Sequence, residues 1–141
     1  MKHNMKNSVI VDTGFFLALA QPRDQFHAKA KEVAQKHSHK EWFTTWPVLA
    51  ELSYMLPRHC LIKLLHDQRK GLFEIFSIQT SHVPRLLELL EKYTDHEIDL
   101  ADISLVLLAE HLNHGNILSC DRKDFSFLKW KNRSSFRNLF V

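Results

Sequence analysis

The sequence predicts an α/β protein whose central, mostly parallel sheet carries helices on both faces. Two observations carry this. Ser8-Val9-Ile10-Val11, Trp42-Phe43-Thr44, Phe73 to Ile78 and Asn116 to Cys120 are strand-sized apolar or alternating runs. Between them lie longer stretches with apolar residues at helical spacing, and strands that alternate with helices assemble into parallel units. A chain of 141 residues suffices for one core, so the expectation is a single domain over 1–141, its core starting near residue 8.

In order, Ser8–Val11 is the first buried strand and Asp12-Thr13-Gly14 ends it. Phe15 to Ala20 forms a short helix, broken by Gln21-Pro22. Asp24 caps the next helix, which runs to about Lys36 with Ala30, Val33 and Ala34 inward. Thr45 follows the second strand and caps a helix with Pro47 in its first turn, where a missing N–H costs nothing. That helix carries Val48, Leu49, Glu51, Leu52 and Met55 and ends near Pro57. A helix over His59 to Lys70 follows, stopped by Gly71. After the third strand, Ser81 caps a helix over about 83–94, with Leu86, Leu87 and Leu90 on its apolar face. The helix opening at Asp99 buries Ala101, Leu105, Leu108 and Leu112, and Gly115 stops it. Asn116 to Cys120 then delivers Asp121 to a strand's carboxyl end, and Ser134 to Val141 adds an edge strand.

Composition excludes several classes. No apolar run is long enough to span a bilayer, and no signal-peptide cleavage pattern follows the basic start, so a cytoplasmic protein is expected. Cys60 and Cys120 lack metal-ligand spacing, which argues for reduced thiols and against structural zinc. His37 and His39 fall in a charged stretch expected to be solvated. Three glycines and no phosphate-loop motif argue against a nucleotide enzyme. The net charge of +3 is too small to identify a partner, but its distribution is uneven. Between Arg122 and Arg137 six basic residues face one acid, with Phe125, Phe127, Trp130 and Phe136 interleaved. Such an end could hold a phosphate backbone or simply cover the core as a solvated strand and turn.

The acids carry the chemistry. Asp12 and Asp121 follow strands, and Asp99 and Asp102 share one face near the positive end of a helix. Each has a structural alternative: Asp12 and Asp99 as caps, Asp121 as a turn residue. Glu51 is harder to dismiss, because its helical neighbours Pro47, Val48, Tyr54 and Met55 are largely apolar. If the acids converge, each pair of carboxylates about 5 Å apart repels by roughly 3 kcal/mol at an effective dielectric near 20. A divalent cation relieves that load, and an all-oxygen site suits Mg²⁺ or Mn²⁺.

VIVDTGFFLAL, TTWPVLAELSYML, DLADISLVLLAE and ILSCDRKDF resemble, in order and spacing, the four acidic motifs of the PIN domain family, from about residue 8 to the end of the sequence. The resemblance implies an α/β/α sandwich and a metal-dependent ribonuclease that leaves a 5′-phosphate and a 3′-hydroxyl. It places the catalytic, metal-binding acids at Asp12, Glu51, Asp102 and Asp121, with Asp99, Ser119, Thr13 and Asp124 as secondary positions. Ser119 stands where the family usually has Thr, and still offers a hydroxyl. Arg122 and Lys123 are candidate contacts to the RNA. A free-standing chain of this size resembles the toxin of a VapBC-type toxin–antitoxin pair, which implies a small antitoxin and, in many members, a homodimer. The candidate antitoxin-docking faces are residues 46–56 and 59–70. Two rivals remain: a PIN-like module that binds RNA or protein without cutting it, and a phosphotransfer receiver, which would not need Glu51 within a helix.

Overall fold

The structure is a computed structural model and describes residues 7–141. The elements run β1 (Ser8–Val11), α1 (Thr13–Ala20), α2 (His27–Lys36), β2 (Glu41–Thr45), α3 (Trp46–Met55), α4 (Arg58–Arg69), β3 (Glu74–Phe76), α5 (Val83–Lys92) and α6 (Leu100–Leu112). They continue with β4 (Asn116–Leu118), α7 (Arg122–Phe127), β5 (Lys129–Trp130), β6 (Ser134–Ser135) and β7 (Arg137–Asn138).

Five strands form one parallel sheet in the order β3-β2-β1-β4-β7, and β5 and β6 pair as a small antiparallel hairpin. β1 lies at the centre, with Ile10 opposite Phe43 on one side and Ile117 on the other. Its Val9, Ile10 and Val11 are fully buried, as a strand covered on both faces requires. Right-handed crossovers explain the layers: β1 to β2 to β3 advance one way, and the connection from β3 to β4 runs back, which lays α5 and α6 on the opposite face from α1 to α4. The sheet therefore changes direction between β1 and β4. Crevices at such a switch point open at the carboxyl ends of the strands.

α6 is buried nearly all round: beyond Ala101, Leu105, Leu108 and Leu112 it buries Ile103, Ser104, Val106, Leu107 and Ala109. Each fully buried aliphatic side chain contributes roughly 1.5–3 kcal/mol, so α6 is the hub of the core. Its one buried hydroxyl is satisfied twice, Ser104 Oγ lying 2.6 Å from both the Ala101 carbonyl and Thr45 Oγ1. Thr44 Oγ1 donates to the Val11 carbonyl at 2.9 Å. Hydroxyls at the end of β2 thus fix the ends of β1 and α6, where the first and third acids begin.

Several local expectations are corrected. Asp24 does not cap α2; it accepts from the Phe26 amide at 2.8 Å in a turn before a helix that starts at His27. Ser81 caps nothing. Gln79 and His82 exchange hydrogen bonds around a 3-10 turn, Thr80–His82, and α5 follows directly. On α5 the buried residue is Leu89, whereas Leu87 and Leu90 are exposed. Asn113, at φ 61°, ends α6 in the left-handed conformation two residues before Gly115. Gly115 instead gives room, since a Cβ there would lie 2.6 Å from Trp130 Nε1. His37 is buried, not solvated, and burial lowers its pKa. α1 begins at Thr13, and the basic end opens with a helix, α7, before the strands and turn of the β5–β6 hairpin. β3 and β4 are three residues each, shorter than their apolar runs, while β7 supplies the expected edge strand. At the turn after α4, Gly71 is exposed at φ 83°.

Candidate active site

A hollow of about 910 Å³ opens beyond the carboxyl ends of β1 and β4, and Asp12, Glu51, Asp102 and Asp121 all line it. Asp99, Asp124, Thr13, Arg122 and Lys123 are there too. The acids expected from four distant stretches therefore meet at one place.

Each is held by the element it starts. Asp12 is buried and caps α1: Oδ1 accepts from the Thr13 amide at 2.7 Å, and Oδ2 from Ser119 Oγ at 2.8 Å. Asp99 and Asp102 form a reciprocal box at the start of α6, Asp99 Oδ1 accepting from the Asp102 amide at 2.9 Å and Asp102 Oδ2 from the Asp99 amide at 3.5 Å. Asp121 caps α7 by accepting from the Asp124 amide at 2.9 Å. Glu51 projects from the middle of α3, and Thr13 Oγ1 donates to its Oε1 at 2.5 Å.

Ser119 is the joint of the site. It is fully buried, donates to Asp12 and accepts from the Asp121 amide at 2.9 Å, so one hydroxyl sets the first and last acids together. Asn138 of β7 clamps the same residue, its amide nitrogen donating to the Ser119 carbonyl at 3.0 Å.

The electrostatics carry the mark of crowding. Burial pushes the Asp12 carboxyl up to about 6 against the pull of Ser119 and the Thr13 amide, and Asp121 and Asp99 add to the rise. Burial, then a hydrogen bond with Asp99, lifts Glu51 to about 7. Asp102 reaches about 8, from burial first and then from the charges of Asp99, Asp12 and Asp124. Burial also raises Asp99, but hydrogen bonds from Glu51 and from the Asp102 and Ala101 amides outweigh it and leave this carboxyl below the ordinary range. Asp124 is raised, by burial and then by Asp121.

Among the described residues, no three His, Cys, Asp or Glu side chains stand close enough to make a finished cation cage. Their oxygens are instead taken up by caps and hydroxyls. The donor chemistry nonetheless fits a hard divalent cation, because every ionisable donor at the four positions is a carboxylate and three of them hold protons well above the usual range.

A family model described as the PIN domain matches residues 9–130. The chain belongs to the PIN domain family. Ribonuclease VapC26 of Mycobacterium tuberculosis (strain ATCC 25618 / H37Rv) is 26% identical over 125 residues, covering 86% of this chain and 92% of that protein. The crystal structure of Mycobacterium tuberculosis VapC20, described as a sarcin–ricin loop cleaving toxin, superposes with a TM-score of 0.72 at 18% identity. That match covers 82% of this chain and 92% of VapC20, and it shows the same fold.

Two features of this PIN site escaped the sequence reading. Glu97 also lines the hollow, and the short spacing of Glu97, Asp99 and Asp102 was the available signal. Asn138 had none, since a lone Asn in an edge strand is not distinguishable from a turn residue.

Proposed function

We propose that this PIN domain is a divalent-metal-dependent ribonuclease that hydrolyses RNA phosphodiester bonds, as the toxin of a VapBC-type pair. The observation that carries the reading is the convergence of Asp12, Glu51, Asp102 and Asp121 on one hollow at the sheet's switch point. These four carboxylates are the ones that would hold Mg²⁺ or Mn²⁺. When bound, such an ion supplies charge neutralisation at the phosphodiester and activation of water for in-line attack.

The chain's own residues do the rest. Ser119 and Thr13 orient Asp12 and Glu51, so the donors are placed before substrate arrives. Arg122 and Lys123 are exposed on α7 at the rim, where they draw the phosphate backbone toward an otherwise acidic hollow. RNA cleavage with Mg²⁺, repeated in EDTA, tests the reading together with Asp12→Asn and Asp102→Asn. Cleavage should stop in chelator and fall at least about a hundredfold in each variant. Full activity in chelator, or in both variants, refutes it.

The proposed antitoxin docks on α3 and α4. Trp46, Tyr54, Met55, Ile62 and Leu65 are exposed there, and a groove of about 480 Å³ is lined by Trp46, Ile62 and Leu65 together with Ile75. This is the surface an amphipathic helix needs. Met55 also lines the acidic hollow, so a helix on this face is within reach of the carboxylates. A homodimer would use Val83, Leu87 and Leu90, which are exposed at helical spacing on α5. Among the described residues no helix is long and apolar enough to cross a membrane.

A further inference from the structure

Resting on the ribonuclease reading, we propose that His96 and Phe127 form a stacking platform for an unpaired base of the RNA, beside the acidic hollow. The His96 imidazole lies nearly parallel to the Phe127 ring, with centroids 4.0 Å apart and planes 18° apart. Phe127 is half-buried and backed by buried Tyr93, at 5.8 Å between centroids. Tyr93 is itself fixed, its hydroxyl accepting from the Lys129 amide at 3.0 Å. His96 is exposed, and besides the stack its ring meets only an edge-on contact with Tyr93 at 6.0 Å among the described aromatic rings.

The position follows from both elements. His96 immediately precedes Glu97, which lines the hollow. Phe127 stands one helical turn along α7 from Lys123 and Asp124, which also line it. The backbone of the 93–98 turn is held by hydrogen bonds from the His96 amide to the Tyr93 carbonyl at 2.9 Å and from the Ile98 amide to the His96 carbonyl at 3.0 Å. The platform is thus preset rather than gathered on binding.

Chemistry supplies the reason for such a surface. A hollow lined by carboxylates repels the phosphates it must approach, and Arg122 and Lys123 offset this only at the rim. A base has no formal charge, and its π-face stacks on an aromatic ring whatever the local field. Stacking therefore adds affinity where phosphate contacts lose it, and it selects single strands, because a paired base within a duplex has no free face.

The test measures binding by fluorescence anisotropy in EDTA, with full-length protein and three labelled probes. These are a short oligoadenylate, the same strand with abasic riboses, and a blunt RNA duplex. His96→Ala and His96→Leu should each weaken oligoadenylate binding about tenfold and leave the abasic strand unchanged, and His96→Phe should restore it. Leu keeps the packing on Phe127 without a π-face, so a loss in that variant is a stacking loss and not an unfolding one. Unchanged oligoadenylate binding in both variants, equal losses on the base-bearing and abasic strands, or a wild type that does not distinguish those strands overturns the platform. A wild type that still cleaves RNA while giving any of these results leaves the nuclease standing. One that neither binds nor cleaves any RNA removes both.

Discussion

At the scale of single residues, the site hangs on Ser119, whose hydroxyl donates to Asp12 and accepts from the Asp121 amide. Ser119→Ala leaves the buried Asp12 carboxyl and the half-buried Asp121 amide each short of a partner, a cost of about 1–3 kcal/mol in urea unfolding. It also removes a bond that holds the Asp12 pKa down. The acid limb of the pH–rate profile should therefore move to higher pH, which measuring cleavage across that limb checks; an unmoved limb would mean the hydroxyl does not govern Asp12. The four central acids were singled out in the sequence by the resemblance to the PIN motifs, since apart from Glu51 on its apolar helix face each could equally have been a cap or turn residue. Glu97 was passed over although its spacing to Asp99 and Asp102 was there to be read, and Asn138 was not legible, since its role depends on which strand becomes whose neighbour.

Among the elements, the hairpin of β5 and β6 is seated against the turn before β4. Gly115 makes this possible, with Trp130 Nε1 and the Phe136 Cα closing over the space a side chain would occupy. Gly115→Ala should lower stability by about 1–3 kcal/mol through overpacking, measured as a shift in denaturant midpoint without change in slope. The strands, the helices and their caps at Asp12, Thr45 and Asp99 followed from local pattern. The errors had different causes. On α5 the periodicity located an apolar stripe, yet the core took Leu89 and left Leu87 and Leu90 outside, because tertiary packing decides which face is buried. α7 was missed because six residues, two of them basic, carry too little periodicity.

For the whole molecule, the raised carboxyls fix the sign of a pH dependence. Glu51 near 7 and Asp102 near 8 hold protons in the folded state at pH values where the unfolded chain has released them. The folded state then binds more protons than the unfolded one, so stability falls as pH rises through that window. His37, lowered by burial, acts in the opposite sense, but it is one group against several carboxyls and its change ends as pH passes the ordinary histidine value. In EDTA, the thermal midpoint should therefore drop as pH rises from about 5 to about 8 and level off above that, and Mg²⁺ should flatten the drop by favouring the ionised form. Calorimetry at several pH values decides it; a midpoint that rises over this range would contradict the crowding of the acids. Parallel order with helices on both faces was legible from the alternation of elements. The placement of β1 between β2 and β4 was not, because strand neighbours are chosen by the finished sheet.

The exposed left-handed turn at Gly71 divides the acids evenly, Asp12 and Glu51 before it, Asp102 and Asp121 after it. A nick there would yield two fragments, each holding two of the four proposed ligands and neither a complete sheet. The proposed nuclease activity would then require their reunion, which makes this turn the natural seam at which to cut the protein into a complementing pair.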